Sequence, residues 1–465
     1  MTSFSENGLF GGLFDRGRAS TGDEAWLQAM LDTEAALARA AERAGLAPAG
    51  SGAAVTAAAR SENFDNQSLG VQAAATGNPV PALVRALTGL LPGAAYGAAA
   101  AVHRGATSQD IIDTAAMLLA RRAIGAIGAD LATAAGACAD LAQAHAGTVM
   151  AGRTLLQQAV PVTFGLVAAG WLTAIDEARC ELHRIAATRL AVQFGGAAGT
   201  LASLGDAGPA VAALLATELG LPEPVLPWHT SRLRIIELAA ALAGACAVLG
   251  KIGRDVALLA QTEVAEVHED SGGGKRGGSS AMPHKQNPVA AIVILGCARQ
   301  APGLLATLAA AGEQEHQRAA GAWHAEWEPL SDLLRLTGSA AAWAADLLTG
   351  LRADPARMRA NLDASGGLPM AEHLAALLAP ALGRLDAHDL VARASARAAA
   401  DGTGLAQALL GDETAAARLA AAGLDRGRVE AALAPGSYLG ASAEFVGRAL
   451  AAHAALDLPG ERPAA

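Results

Sequence analysis

The feature that most restricts the fold is a set of long stretches with helical spacing and few breakers. They cover 111–145, 162–190, 232–268 and 289–315. Several exceed 25 residues and are apolar around most of their circumference. A helix that is apolar on all sides has to be buried on all sides. The pattern predicts an all-α chain with a central bundle of long helices, extended by neighbouring subunits. Aromatic residues make up only 3% of the chain, so Ala, Leu and Val must fill the core. That favours close helix–helix contact over a β-sandwich, which draws on β-branched and aromatic residues.

The flanking regions read differently. Residues 1–110 mix short helices with breakers, including a helix over 25–45 that stops at Gly45 and a Pro-punctuated loop, "TGNPVPALVRAL". After residue 351 the helices shorten again, broken at "ASGGLP", "LAPALGR", "ADGTG" and "LAPGSY". Three domains are expected: 1–110, a long-helix bundle over 111–351, and a small helical domain over 352–465 that ends in a frayed "LPGERPAA".

Charge and cysteine usage exclude several function classes. The net charge of −10 argues against a nucleic-acid partner, whose footprint is a basic face. Cys138, Cys180, Cys246 and Cys297 are scattered without a CxxC, so the expectation is packed thiols, with no zinc site or disulfide framework. The uncharged segment 154–175 is the best candidate for a membrane span. Gln157, Gln158, Pro161 and several threonines interrupt it, so it reads as a buried core helix and no membrane is expected. No basic stretch followed by an apolar one opens the chain, so the expected location is cytoplasmic.

Against this background "GGGKRGGSSAMPHKQNP" (272–288) stands out. A phosphate loop needs G-x-x-x-x-G-K-[ST] after a strand, whereas Lys275 is followed by Arg276 and preceded by a helical pattern. A plain linker explains the glycines but not "SSAMPHKQNP". An active-site loop explains both. Glycines let a loop close and bring N–H groups near a ligand. Ser279 and Ser280 offer hydroxyls, Lys285 a point charge and Asn287 an amide, the parts needed to hold a carboxylate and move a proton beside it.

The stretch 278–288, "GSSAMPHKQNP", is similar at every fixed position to the GSSxMPxKxNP signature of the fumarase/aspartase superfamily. "HRGATSQDIIDT" (103–114) and "GRTLLQQAVPVTFG" (152–165) resemble its first and second blocks, in the same order. The resemblance covers nearly the whole chain. It implies a three-domain helical fold and a homotetramer in which each active site draws on three subunits. It implies a small dicarboxylate or tricarboxylate substrate, and no cofactor or metal. Within the superfamily, "WHTSRLR", "GAWHAEWEPL" and "SYLGASAEFVGRAL" resemble the 3-carboxy-cis,cis-muconate cycloisomerase branch of aromatic catabolism. Enzymes of that branch interconvert a tricarboxylate diene and its γ-lactone.

Two departures sharpen this expectation. Where fumarases and adenylosuccinate lyases carry a His on the leaving-group side, this chain has Leu155. Where they carry its Glu partner, five residues after the signature Asn, it has Ile292. Leu155 can protonate nothing. Hydroxide or an amine leaves badly unprotonated, but a carboxylate, with a conjugate-acid pKa of about 4, needs no such help. The departures therefore suit the cycloisomerase. Elimination of nitrite from nitrosuccinate is suited equally, and an amine-releasing lyase of adenylosuccinate or argininosuccinate type poorly. A non-catalytic protein on this fold is disfavoured because Ser279 and Lys285 are kept.

The resemblance gives Ser279 the carbon proton, and a free hydroxyl needs activation for that work, for instance by loop N–H groups and Lys285. The aci-carboxylate intermediate needs cations and N–H donors. Candidates are Lys285, Asn287, Thr107, Ser108, Arg153, Thr154, Gln158 and Arg318, with Ser280 and Met282 at neighbouring signature positions. His103, His229 and Arg232 are as readily structural as substrate-facing, and Leu233 stands where the related R-D-R has its Asp. Asp110 and Asp113 read as a helix N-terminal pair supporting the loop, and His284 as structural.

Overall fold

The computed structural model describes residues 8–91, 96–270, 277–278, 282 and 284–458. The longer elements are α1 (Asp23–Arg43), α2 (Ser108–Ala144), β1 (Val149–Thr154), β2 (Gln157–Thr163), α3 (Phe164–Thr188), α4 (Leu233–Leu259), β3 (Val267–Glu269), α5 (Val289–Ala310), α6 (Trp327–Thr349), β4 (Leu351–Ala353) and α7 (Pro355–Asp363). Helix dominates, as the sequence predicts. Among the described residues the strands form two small antiparallel pairs, β1 with β2 and β3 with β4.

α2 to α6 pack side by side as the central bundle. Their buried faces are built from Ala and Leu, with Phe164 and Trp171 meeting edge to face at 5.9 Å. α2, α4 and α5 are long and apolar enough to cross a membrane by length and composition, but here they line this shared core. Residues before 110 pack onto the bundle. Leu31, Leu37, Leu83 and Leu87 belong to the same cluster as Met117 and Leu131. A second core lies among the C-terminal helices, built on Leu374, Leu378, Leu390, Leu405 and Leu409. The final helix, Ser442–Ala455, returns to the bundle through Val446 and through His453, whose Nδ1 lies 2.8 Å from Asp176.

Three expectations are corrected. The uncharged segment 154–175 is not one helix: Gln157–Thr163 pairs as β2, and helix begins only at Phe164, capped by the Thr163 hydroxyl. Pro161 is tolerated there because a two-stranded ladder is all edge. The stretch 232–268 ends its helix at Leu259, and Val267–Glu269 then turns into a strand. Cys180 is exposed, unlike the other three cysteines.

Candidate active site

The first block is organised by a buried carboxylate. Asp110 closes a capping box at the start of α2: the Thr107 hydroxyl accepts the Asp110 N–H, and Asp110 accepts the Thr107 N–H at 3.0 Å. Asp110 is 1% exposed and also accepts from the backbone of Gly195 and Gly196, from Gln193, and lies 2.7 Å from His229 Nε2. A buried charge is stable only when so many donors satisfy it. Gly105 makes the turn into this cap with φ +76°, and a Cβ there would lie 2.5 Å from Leu204.

One turn further, Asp113 is gripped by both terminal nitrogens of Arg232, at 2.7 and 3.0 Å, and by the Trp323 indole at 3.0 Å. Arg232 in turn donates to Glu326 at 3.0 and 2.5 Å. Burial opposes its charge, but the two carboxylates outweigh that, so the guanidinium is held above its usual range. Burial drives the Glu326 carboxyl up despite Arg232. Both carboxylates converge on the arginine, which is the fixed charge of the three. The polar network left in question by Leu233 is thus completed from Glu326. Arg232 and His229 are both buried in the protomer.

Arg318 reaches this block from above. Its Nη1 donates to the Thr107 hydroxyl at 2.9 Å and its Nη2 to the Ala197 carbonyl at 2.9 Å. Ser108, the first residue of α2, is half-buried beside them. His103 also belongs here. Its Nδ1 lies 2.7 Å from Glu34, a fully buried residue of α1.

The second block is the β1–β2 hairpin. Thr154 pairs with Gln157, so Leu155 and Leu156 form the tip, 97% and 72% exposed. Thr154 and Gln158 are exposed beside them, and Gln158 donates to the Asn361 carbonyl. Arg153 is engaged within the protomer by a bidentate pair to the buried Glu266 at 2.8 and 2.7 Å, and Asn361 donates to the same carboxylate.

The third block lies before α5. Asn287 donates its backbone N–H and side-chain amide to the Gly277 carbonyl, at 2.8 and 3.0 Å. Gly277 has φ +82°, and a Cβ there would strike the Asn287 carbonyl at 2.6 Å. Lys285, His284 and Met282 are exposed. Glu269 accepts the N–H groups of Ala290 and Ala291, which seats the loop's exit on the start of α5. Ile292, one turn on, is exposed. Ser279, Ser280 and most of the glycine run 272–278 lie outside the described residues.

The helix lengths determine how these blocks are distributed. α2 has 37 residues and spans about 55 Å. The first block sits at its start and the second just past its end. The second and third blocks share the opposite end of the protomer, since Glu266 takes Arg153 and Glu269, three residues on, caps α5. A cleft of about 480 Å³ lies elsewhere, between α1 and α2, but its arginines are engaged. Arg39 pairs with Glu218, Arg122 with Asp32, and Arg121 donates to two backbone carbonyls.

Sequence reading missed Glu34, Glu266, Glu326, Gln193 and Asn361. Only Glu34 left a signal: it falls on the apolar stripe of α1 between Leu31 and Leu37, where a charge needs a buried partner.

Comparison with known proteins places this geometry. The family described as "Lyase" matches residues 9–303, and "Adenylosuccinate lyase C-terminus" matches 367–449. The chain is 49% identical to a 3-carboxy-cis,cis-muconate cycloisomerase of Bradyrhizobium diazoefficiens over 433 residues, 93% of this chain and 95% of the relative. It is 47% identical to a nitrosuccinate lyase of Streptomyces davaonensis over 440 residues, 93% of this chain and 91% of the relative. The solved structure of the 3-carboxy-cis,cis-muconate lactonizing enzyme of Pseudomonas putida superposes with TM-score 0.88 at 42% identity, covering 96% of this chain and 99% of that one.

Proposed function

The chain belongs to the fumarase/aspartase superfamily of lyases, and from that membership we propose that it interconverts 3-carboxy-cis,cis-muconate and its carboxymuconolactone. The observation that carries this reading is Leu155. At the hairpin tip, where related lyases carry the acid that protonates a leaving group, this chain presents an exposed apolar side chain. Only a nucleophile and leaving group that need no proton suit such a wall.

In the proposed mechanism a substrate carboxylate, ionised at neutral pH, adds to the neighbouring alkene carbon. Charge moves into the adjacent carboxylate as an aci-carboxylate. Ser279 delivers the proton to carbon, and takes it back in the reverse direction. Lys285 and Asn287 hold the charged carboxylate, and Arg318 with Thr107 and Ser108 holds another. Preorganised donors of this kind usually contribute more than any other effect to stabilising such an intermediate.

The reading includes a homotetramer with shared sites. Two blocks at opposite ends of a helix of about 55 Å support this reading, in which antiparallel copies bring them together. The three-domain division at 110 and 351 and a cytoplasmic location are parts of the same proposal.

A second reading, elimination of nitrite from nitrosuccinate, is favoured by the same Leu155 and by the relative from Streptomyces. An ultraviolet assay separates them. Loss of diene absorbance with 3-carboxy-cis,cis-muconate, and no fumarate from nitrosuccinate or adenylosuccinate, is the expected result. Fumarate release from nitrosuccinate with no change in the diene would overturn it.

A further inference from the structure

We propose that Glu34 is a positioning residue for this reaction: it fixes His103 as a cationic donor that grips a substrate carboxylate beside Thr107 and Arg318. The inference rests on the proposed carboxylate-binding role of the first block.

Glu34 is fully buried in α1, and both of its carboxylate oxygens engage one residue. Oε2 accepts the His103 backbone N–H at 2.8 Å, and Oε1 lies 2.7 Å from His103 Nδ1. No Lys or Arg pairs with Glu34 among the described residues. A carboxylate buried this way needs a compensating positive charge, and the imidazolium of His103 supplies it. Burial alone would push that imidazolium down. The Glu34 hydrogen bond and charge, with Asp110 behind them, outweigh it, and the shift is upward.

The backbone is bent to make this pair. His103 has φ +56°, a left-handed conformation that costs a non-glycine residue about 1–2 kcal/mol. That conformation lets the N–H and the ring of one residue reach the same carboxylate. Strain of this kind persists where the surroundings impose it, and it concentrates at functional sites. The His103 carbonyl then accepts the Ala106 N–H at 3.2 Å, a tight turn that delivers the chain into Thr107 and its Arg318 contact.

The ring keeps 22% of its side-chain surface exposed, and Nε2 is the edge Glu34 leaves available. The charged groups that bear on the ring are Glu34 from α1 and Asp110 from α2, and Arg318 reaches the Thr107 hydroxyl four residues on. The other histidine–carboxylate pair here, His229 with Asp110, is enclosed, the His229 side chain being 5% exposed. With the superfamily's His–Glu pair replaced by Leu155 and Ile292, Glu34–His103 is the pair placed to meet an anion.

The test reads His103 directly. Diethylpyrocarbonate modifies neutral imidazole only, and peptide mass spectrometry follows its rate at His103 against pH. In the wild type, half-reactivity is expected above the ordinary imidazole range, with protection by tricarballylate, a saturated tricarboxylate. In Glu34→Gln the half-reactivity point should fall by about one pH unit, and in Glu34→Asp it should partly return. KM for the diene should rise in Glu34→Gln at pH 7.5 with kcat little changed, and kcat/KM should begin its fall at lower pH than in the wild type. Identical half-reactivity in wild type and Glu34→Gln, or no protection by tricarballylate, overturns the proposal. If Glu34→Gln fails to fold, His103→Gln carries the test by calorimetry: tricarballylate affinity should drop at least tenfold at pH 6.5, and an unchanged affinity overturns the idea. A wild type inactive on the diene, but with His103 shifted and protected, would defeat the cycloisomerase reading and leave this one standing.

Discussion

Leu155 and Leu156 occupy the two central positions of the hairpin turn, with φ of 52° and 66°. A two-residue turn with both residues left-handed normally selects Asn-Gly. Two leucines there cost about 1–2 kcal/mol each, and they expose apolar surface as well. The sequence gives up local stability to keep an apolar tip. Leu155→Asn with Leu156→Gly should therefore raise the unfolding temperature while cutting diene turnover at least tenfold. A variant both more stable and fully active would remove the tip from the site. Ser279→Ala should lose about two to four orders of magnitude in kcat, the span typical of a positioned proton carrier. Its oligomeric state should not change, and near-normal kcat would exclude Ser279 as the proton handler. Arg318→Gln replaces a charged donor to Thr107 and the Ala197 carbonyl. It should raise KM about tenfold to a hundredfold, the usual worth of a charge-assisted bond, and an unchanged KM would make Arg318 a loop strut.

At the scale of elements, the hairpin depends on a distant partner. Arg153 and Glu266 are 113 residues apart in sequence, and their bidentate pair ties β1 to the segment after α4. Arg153→Met leaves Glu266 buried with Asn361 as its remaining side-chain donor. Breaking a buried pair costs about 3–5 kcal/mol. With Arg153 a quarter exposed, the loss should fall at the low end, measured by urea unfolding. Adding Glu266→Gln should recover part of it. A single variant as stable as the wild type would show the pair to be ornamental. Such a pairing leaves no local trace, so nothing in the sequence marks Glu266 as the partner of Arg153. The long helices were legible because their apolar periodicity runs for many turns, averaging out single residues. The hairpin was not, because ten residues of mixed Gln, Val and Thr fit a helix or a strand until a partner is known. The three chemical blocks were legible by their wording. The buried carboxylates that hold them, Glu34, Glu266 and Glu326, come from elsewhere in the chain, and only tertiary packing joins them.

At the scale of the whole molecule, the central helices leave part of their surface exposed. Along α4, Leu233, Ala240, Gly244 and Ala247 recur at helical spacing and are exposed in the protomer. Small residues on an exposed helix face allow another helix to approach closely, and the proposed tetramer needs such an approach to bring the block at the start of α2 against the blocks at its far end. Gly244 separates the two demands on this face. A Cβ built there meets no atom within 4 Å, so a larger side chain costs the protomer nothing in packing. Replacing Gly in an exposed helix interior should even stabilise α4 by up to about 1 kcal/mol. Gly244→Leu is therefore expected to fold with full helical content yet sediment as a smaller species than the wild type, and to lose diene turnover in proportion. The loss of activity would follow from separated half-sites, since no residue of the three blocks is altered. Should Gly244→Leu remain tetrameric and fully active, this face of α4 is not where the copies meet. A dissociated variant that kept full turnover would instead show that one protomer completes the site, against the proposed sharing between copies.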